Sequence, residues 1–372
     1  MIRILHILHS MNRGGAEAML MNYYRSIDRE QIQFDFLLTE QNHCLYEDEI
    51  MEMGGKVYRV PLLTMTNPIP YIIGVKKFLK EHPEYQIVHS HTSSKSAFPL
   101  AVAKCCGVPV RICHSHNNKS ETGILGTIRD LLKYPLRKVA TDFFSCGDEA
   151  TRWLYGENIA KSGIVHVLKN AINVEQYVFN AKTRRDIRQG YNISNETIVL
   201  GMVARFSHQK NHLFALDVLK GLVSEKQDVK LLLVGDGEMH QAIVEKIESL
   251  NLSQYVIFAG IVSDVYNYLQ AMDAVLMPSF NEGLPVSIIE AQASGVKCIL
   301  STGVPKEVDV TGNITFLPLD VVQWVNRIKE IEPNWRDATA IEKVKSSGYE
   351  IHAASKKLQK WYLEKSSFQY FM

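Results

Sequence analysis

Two successive series of short apolar segments, each alternating with amphipathic helical patterns, constrain the fold of this chain more than any other feature. Strand candidates of the first series lie at residues 2–9, 33–38, 56–60, 87–90, 110–114, 142–146 and 165–168. Those of the second series lie at residues 198–204, 230–235, 256–259, 274–278 and 297–301. Alternating strands and helices indicate parallel sheets that are covered on both faces. Two such series predict an α/β fold with two doubly wound, Rossmann-like domains that face each other across a cleft.

The boundary between the two predicted domains lies near residues 169–180, a segment that follows the last strand of the first series. This division gives an N-terminal domain at 1–168, a C-terminal domain at 169–347 and a terminal segment at 348–372. The terminal segment carries apolar residues on one stripe, which predicts an amphipathic helix. A chain of 372 residues suits two domains of ordinary size, each able to bury its own core.

Composition and charge exclude several classes of protein. The net charge is +1 and is evenly spread, so no nucleic-acid partner is expected. No apolar segment reaches the roughly 18–20 residues that span a bilayer. The apolar start of the chain is too short, and too interrupted by Arg3 and His6, for a secretion signal. The six cysteines show no C-x-x-C spacing, which favours free thiols in a reducing compartment. We therefore expect a cytoplasmic protein.

The segment 279–295 reads S-F-N-E-G-L-P-V-S-I-I-E-A-Q-A-S-G and is the most informative for function. Pro285 suits the first position of a helix and Gly295 suits its left-handed end, so a helix of about ten residues is predicted. Glu282 then lies in the loop before the helix, and Glu290 lies within it. The amides at a helix start bind anions, and a neighbouring carboxylate binds hydroxyls, which together suit a nucleotide-sugar. The alternative is a capped surface helix with two solvated glutamates.

The segment 201–212, G-M-V-A-R-F-S-H-Q-K-N-H, follows a predicted strand and precedes a predicted helix. Loops at the carboxyl ends of strands bind the ligands of doubly wound sheets. Arg205 can hold two phosphate oxygens with its planar guanidinium group, and Lys210 adds a mobile charge. Both are therefore candidates for binding a diphosphate, although single loop cations are usually solvated surface charges.

Three further strand ends carry glycine or histidine pairs. Gly14 and Gly15 let backbone amides approach a ligand closely, but the spacing is not the G-x-G-x-x-G of a dinucleotide site. The sequence H-S-H occurs at 89–91 and again at 114–116, and alternation along a strand places both histidines of a pair on one side. Metal binding is conceivable there, but H-E-x-x-H is absent, so no metal site is expected. A structural role is the alternative for the first pair.

Segments 201–212 and 279–295 closely resemble the donor-site motifs of retaining glycosyltransferases of family 4, including their E-x7-E signature, and the resemblance covers essentially the whole chain. It implies the two-domain GT-B fold and transfer of a sugar from a nucleotide-diphosphate sugar to a saccharide acceptor. The catalytic residues that it implies are His114, Glu282, Arg205 and Lys210. The donor-binding residues that it implies are Gly14, Gly15, Arg205, Lys210, Glu282, Gly283, Leu284 and Glu290.

The resemblance also implies a role for individual side chains. Glu282 would contact the hydroxyls of the donor sugar, Glu290 the ribose hydroxyls and His114 the transferred sugar. His116 and His91 are weaker candidates for contact with the acceptor or the sugar. The departing phosphate would take the acceptor proton, so no enzymic nucleophile is needed. The chain has no D-x-D motif, so no metal and no cofactor are expected, and cationic side chains would replace the ion.

The same resemblance implies a class of acceptor and a contact with a membrane surface. The start of the chain and the segment S-S-G-Y-E-I near 350 are most similar to the exopolysaccharide and capsule branch, whose members extend lipid-linked saccharides. A polyprenyl-diphosphate-linked saccharide is therefore the expected acceptor. The basic amphipathic segment Lys119–Lys138 would bind the inner face of the plasma membrane, unless its leucines pack it against the protein. In this family a terminal helix crosses back to the N-terminal domain; alternatively it ends the second domain.

Two other classes of function are compatible with the same residues. A nucleotide-sugar epimerase or hydrolase of this fold would act without an acceptor. A non-catalytic subunit would bind the nucleotide-sugar and activate a partner transferase. One departure from the family pattern is N-A-I-N at 170–173, where N-G-I-D is usual.

Overall fold

A computed structural model describes residues 1–12, 14–116 and 124–367, with only the backbone of 124–129. The chain forms two compact units. The N-terminal unit comprises Met1–Ala171 and Ile351–Met372, and the C-terminal unit comprises Ile172–Glu350. These boundaries lie slightly beyond the predicted 168/169 and 347/348, because Ala171 packs in the first core whereas Ile172 packs in the second and forms a bridge with Glu350.

The N-terminal unit contains a seven-stranded parallel sheet in the order β3-β2-β1-β4-β5-β6-β7. The strands are β1 (Ile2–Leu8), β2 (Ile32–Leu38), β3 (Val57–Arg59), β4 (Ile87–Ser90), β5 (Val110–Ser115), β6 (Asp142–Ser145) and β7 (Val165–Val167). Its first helices are α1 (Gly15–Ser26), α2 (Glu47–Glu52), α3 (Ile69–Glu81), α4 (Ala97–Cys105), α5 (Ile124–Val139), α6 (Asp148–Tyr155) and α7 (Glu157–Lys161). Buried β1 and β2 pair in register, with Ile4 opposite Phe34, and their apolar side chains build the cores on both faces.

The C-terminal unit contains a six-stranded parallel sheet in the order β10-β9-β8-β11-β12-β13. The strands are β8 (Ile198–Val203), β9 (Val229–Val234), β10 (Val256–Gly260), β11 (Ala274–Met277), β12 (Lys297–Ser301) and β13 (Ile314–Leu317). The helices are α8 (Ala181–Gly190), α9 (His212–Ser224), α10 (His240–Ser249), α11 (Val265–Ala271), α12 (Val286–Ala293), α13 (Val321–Lys329) and α14 (Ala340–Ser346). The order reverses between β8 and β11, and the carboxyl ends of strands at such a point are where these sheets bind ligands.

The last helix, α15 (Ile351–Ser367), belongs to the N-terminal unit although it follows the C-terminal unit in sequence. It packs on α1, and its residues Ile351, Leu358 and Tyr362 are buried in the core that includes β1 and β2. The N-terminal unit is therefore built from two separate stretches of chain.

The helix predicted to begin at Pro285 begins one residue later, at Val286. Pro285 has an extended backbone, with ψ 113°, and its carbonyl accepts a hydrogen bond from the Ile288 amide at 3.1 Å. It therefore precedes the first helical residue, which corrects the prediction. Gly295 has φ +75°, so the left-handed end predicted for this position is confirmed.

A buried ionic cluster holds α8 against the start of β11. Asp273 Oδ1 accepts from Arg184 Nη2 at 2.6 Å, and its Oδ2 accepts from Arg188 Nη2 at 2.6 Å. The same carboxylate accepts from the amides of Val199 and Asn334, at 2.8 and 3.0 Å. Asp273 is 1% exposed, and every bond to it is charge-assisted and shielded from water.

Candidate functional site

The loops that follow β8 and β11 lie side by side in the C-terminal unit. After β8 the chain forms a short turn of 3₁₀ helix, His208–Lys210, and Asn211 then adopts the left-handed conformation before α9 begins. The Asn211 side chain donates to the Pro278 carbonyl at 3.2 Å. The Phe280 amide donates to the Gln209 carbonyl at 2.9 Å. These bonds bring together the two segments that the sequence singled out.

The central contact between these loops joins Lys210 and Glu282. Lys210 Nζ lies 2.7 Å from Glu282 Oε1, and the two side chains are only 19% and 7% exposed. The Glu282 amide donates to the Gly303 carbonyl at 3.1 Å, which fixes the backbone of the loop. An ammonium group has three N–H donors, so Lys210 can bind this carboxylate and also donate to phosphate oxygens. Gly283 and Leu284 complete the loop before α12, and Leu284 packs against the core.

Glu290 lies in α12 and contacts a residue that the sequence did not indicate. Tyr177 Oη donates to Glu290 Oε1 at 2.8 Å, from the 3₁₀ segment Val174–Tyr177. Burial raises the pKa of Glu290, and the hydrogen bond from Tyr177 opposes that rise. No other group in the described part of the chain bonds to this carboxylate, so its second oxygen can accept from a ligand hydroxyl.

Arg205 is not part of the contact between Lys210 and Glu282. Its Nη2 lies 3.0 Å from Glu238 Oε2, and its side chain is 74% exposed. An exposed ion pair of this kind contributes little to stability, so the guanidinium group can exchange its partner at small cost. A diphosphate would therefore compete with Glu238 for Arg205.

In the N-terminal unit, Gly14 precedes the first residue of α1, and Gly15 begins the helix. A Cβ atom at Gly14 would lie 2.2 Å from Glu17 Oε2, because that carboxyl group folds back over the turn. A Cβ atom at Gly15 would meet no atom of the described chain within 4 Å. Burial raises the pKa of Glu17. The Glu17 carboxyl group is the end of a flexible side chain and can move aside, so local packing requires neither glycine.

Five imidazoles, called here the histidine cluster, lie on and directly after the neighbouring strands β1, β4 and β5. Its members are His6, His89, His91, His114 and His116. His91 lies between two others, with Nε2 3.0 Å from His6 Nδ1 and Nδ1 2.9 Å from His116 Nε2. His89 Nε2 lies 3.2 Å from His114 Nδ1. The sequence did not indicate His6, which is paired in register with His89 across the sheet.

The histidine cluster borders a cavity of about 420 Å³ in the same unit. His91 and His116 line it together with Glu17 and Lys95, whereas His114 is fully buried behind them. The structure thus places the two weaker candidates at the cavity wall. The contact of His114 with a sugar stays a prediction.

Comparison with known proteins identifies the family. A sequence profile described as Glycosyl transferases group 1 matches residues 183–343. A Bacillus subtilis (strain 168) protein named as a glycosyltransferase, EpsF, is 37% identical over 321 residues, which cover 85% of this chain and 84% of that relative. The chain belongs to the group 1 glycosyl transferases.

Further relatives of this glycosyltransferase cover most of its length. Staphylococcus aureus CapH, named as a capsular polysaccharide biosynthesis glycosyltransferase, is 25% identical over 380 residues, covering 98% of this chain and 100% of that relative. An Escherichia coli protein named UDP-Gal:alpha-D-GlcNAc-diphosphoundecaprenol alpha-1,3-galactosyltransferase is 23% identical over 311 residues, covering 81% and 79%. The crystal structure of Anabaena HepE in complex with UDP and glucose matches with a TM-score of 0.73 at 16% identity, covering 99% and 100%. This likeness confirms the predicted fold of two Rossmann-like domains of the GT-B type.

The basic segment Lys119–Lys138 of this glycosyltransferase lies partly outside the described residues, which omit 117–123 and the side chains of 124–129. In the described part of α5, Leu131 and Tyr134 are 62% and 73% exposed, three residues apart on one face. Lys133 lies 4.4 Å from the centre of the Trp153 ring, so this cation is engaged within the protein. Within the described chain, we find no helix with the length and apolar character needed to cross a bilayer.

Proposed function

We propose that this glycosyltransferase transfers a sugar from a nucleoside-diphosphate sugar to a saccharide acceptor, with retention of configuration, in exopolysaccharide or capsule synthesis. The contact between Lys210 and Glu282 carries the proposal, because it joins the loops after β8 and β11 through a cation suited to phosphate and a carboxylate suited to hydroxyls. Glu290 adds a carboxylate oxygen for the ribose. The name of CapH, a capsular polysaccharide transferase, supports the proposed pathway class.

In the proposed reaction the C-terminal unit binds the donor and the N-terminal unit binds the acceptor. Lys210, the amides at the start of α12 and Arg205 after its release from Glu238 would neutralise the diphosphate. The bond from the anomeric carbon to phosphate breaks as the acceptor oxygen bonds to the same face. The acceptor proton passes to the departing phosphate oxygen. These groups supply the charge that a metal would provide, so we propose that transfer needs no metal ion.

Donor binding tests this proposal most directly. UDP-, GDP-, ADP- and dTDP-sugars are added to the wild type and to Glu290→Ala in EDTA, and the midpoint of thermal unfolding is recorded. A ligand at 100 times its dissociation constant adds about 2.7 kcal/mol, which raises the midpoint by several degrees. We expect this rise with one nucleotide series in the wild type and its loss in Glu290→Ala. Glu248→Ala, an exposed glutamate on α10, is the matched control and should behave as the wild type.

Three outcomes would contradict the proposal. No rise with any nucleotide-sugar would favour a subunit that depends on a partner transferase. A rise that is absent in EDTA and appears when Mn²⁺ is added in excess of the EDTA would show a metal-bridged donor. If the protein released or epimerised the donor sugar without any acceptor, it would instead be a nucleotide-sugar hydrolase or epimerase.

We further propose a lipid-linked saccharide as acceptor and a peripheral location on the cytoplasmic membrane face. The diphosphoundecaprenol substrate in the name of the Escherichia coli relative supports the acceptor class. The exposed pair Leu131 and Tyr134 on α5 supports the location, because apolar and aromatic side chains on one helix face insert into the headgroup region.

Sedimentation with vesicles tests the membrane proposal. We expect the wild type to sediment with vesicles that contain anionic lipid, and Leu131→Glu/Tyr134→Glu to lose most of this binding. Leu45→Glu is the control, since Leu45 is 53% exposed in the same unit but lies outside α5. Wild-type protein that stays in the supernatant, or a control that loses as much binding as the double variant, would contradict the proposal.

A further inference from the structure

Two nitrogens of the histidine cluster are left without hydrogen-bond partners in the described part of the chain. They are His6 Nε2 and His114 Nε2, and both side chains are fully buried. A buried polar atom without a partner is rare in folded proteins and often marks the place of a bound ion or water. The histidine cluster therefore lacks a bound group that would contact these two nitrogens.

Three members of the histidine cluster are close enough together to bind one metal ion. His91, His114 and His116 each offer one ring nitrogen, and these three nitrogens lie within 4.8 Å of one another. His91 Nδ1 and His116 Nε2 are already 2.9 Å apart. Nitrogens bound to one tetrahedral Zn²⁺ at about 2.0 Å lie about 3.3 Å apart, so these two side chains need to separate only slightly.

We propose that His91, His114 and His116 form a binding site for one divalent transition-metal ion of the Zn²⁺ class. The ligand atoms are then His91 Nδ1, His116 Nε2 and the unpartnered His114 Nε2. The His114 ring stacks on the His116 ring with 4.1 Å between the ring centres, so His114 must turn toward the ion when it binds. Three imidazoles leave a fourth position for water, which faces the cavity that His91 and His116 line. That cavity also provides the route by which the ion reaches the site.

His6 and His89, the two members of the histidine cluster outside the proposed ligand set, support this assignment. A metal-bound imidazole usually donates its other N–H to an acceptor that fixes its orientation. His91 Nε2 lies 3.0 Å from His6 Nδ1, and His114 Nδ1 lies 3.2 Å from His89 Nε2, so both ligands have such an acceptor in place. Each ring keeps one proton when the ion binds, and only the position of that proton on the ring changes.

The protonation state of the ligands also fits metal binding. Burial lowers the pKa of His116 to about 4, and it lowers the pKa values of His91 and His114 well below 6.5. Neutral imidazoles carry the lone pair that binds an ion. The sequence did not predict this site, because the spacing within each H-S-H pair gives no sign that β4 and β5 are neighbours.

The effect of the ion on catalysis rests on the proposed function. An ion held by His91 and His116 occupies side chains that would otherwise face the acceptor or the transferred sugar. Zn²⁺ should therefore inhibit transfer, and EDTA should leave the activity unchanged or raise it.

Cobalt binding to the full-length, metal-stripped protein tests the site without any substrate. Tetrahedral Co²⁺ has an intense visible absorption that aqueous Co²⁺ lacks, and Zn²⁺ added afterwards should remove it at one equivalent. We expect His116→Gln to weaken binding at least tenfold, since His116 lies at the cavity wall and its replacement should preserve the core. The His89→Leu change, which removes the acceptor of the His114 N–H, should weaken binding by about 10–100-fold. His43→Gln, at an exposed histidine of the same unit, should bind as the wild type.

Absence of the tetrahedral absorption in the wild type, or wild-type affinity in His116→Gln, would overturn the proposal. Circular dichroism of each variant separates loss of the site from loss of the fold. Because the absorption is read without a nucleotide-sugar, a failure of the metal site leaves the donor proposal standing. Failure of the donor test likewise leaves the metal site standing.

Discussion

Replacing Lys210 with alanine should lower kcat/KM for the nucleotide-sugar by about 10²–10³-fold, the usual effect of removing one group that stabilises the charge of a transition state. Lys210 Nζ is the cation paired with Glu282 at 2.7 Å. Its loss would remove a positive charge from the diphosphate and leave the Glu282 carboxylate to repel it. Steady-state kinetics with the donor found in the thermal-shift panel measure the effect.

The Lys246→Ala variant is a matched control for this change. Lys246 Nζ forms an ion pair with Asp217 at 2.7 Å in the same unit, away from the loops after β8 and β11. Partly exposed ion pairs contribute up to about 1 kcal/mol, so Lys246→Ala should stay folded. Circular dichroism of Lys210→Ala separates loss of the site from loss of the fold, because Glu282 is buried. Wild-type turnover in Lys210→Ala, or an equal loss in both variants, would refute the assignment of Lys210 to the diphosphate.

Replacing Asp273 with asparagine should lower the free energy of unfolding by about 3–5 kcal/mol. The change keeps the side-chain shape but leaves Arg184 and Arg188 without the carboxylate that both bind at 2.6 Å. Uncompensated buried charges are costly because the protein interior does not screen them. The midpoint of thermal unfolding should fall by about 10 °C, as calorimetry would measure.

The Asp217→Asn variant provides the comparison for this prediction. It also removes one carboxylate from an ion pair, but Asp217 is 42% exposed and its partner Lys246 is 26% exposed. Water can therefore replace the lost contact, and the midpoint should change by less than about 2 °C. Similar shifts in the two variants would mean that the buried cluster contributes no more than a surface pair.

The sequence predicts the strands well wherever they are buried on both faces. Strands β4 (I-V-H-S) and β12 (K-C-I-L-S) have the bounds that the sequence predicted, and all their residues except Lys297 are buried. Strand β13 was missed. It is one of the two edge strands of its sheet, and its four residues Ile314–Leu317 are all half-buried. So short a pattern of side chains cannot be distinguished from a loop.

For the site, the sequence indicated the residues that follow strand ends but not their partners from distant segments. Lys210 and Glu282 were found because each lies in a loop between a predicted strand and a predicted helix, where doubly wound sheets bind ligands. Tyr177 reaches Glu290 from 113 residues away, out of a turn without a strand or helix pattern. His6 joins the histidine cluster because β1 lies beside β4, and strand order is a property of tertiary packing that no local pattern contains.

The return of α15 to the N-terminal unit has a consequence for the order in which the protein can mature on the ribosome. Domains generally fold as they emerge, the first one first. Here Ile351, Leu358 and Tyr362 belong to the core of the first unit but are translated after the whole of the second. The C-terminal unit is one continuous stretch of chain, so it can bury its core as soon as it has been translated. At that point the N-terminal unit still exposes the apolar surface that α15 later covers. The unit that is begun first is therefore the one that is finished last.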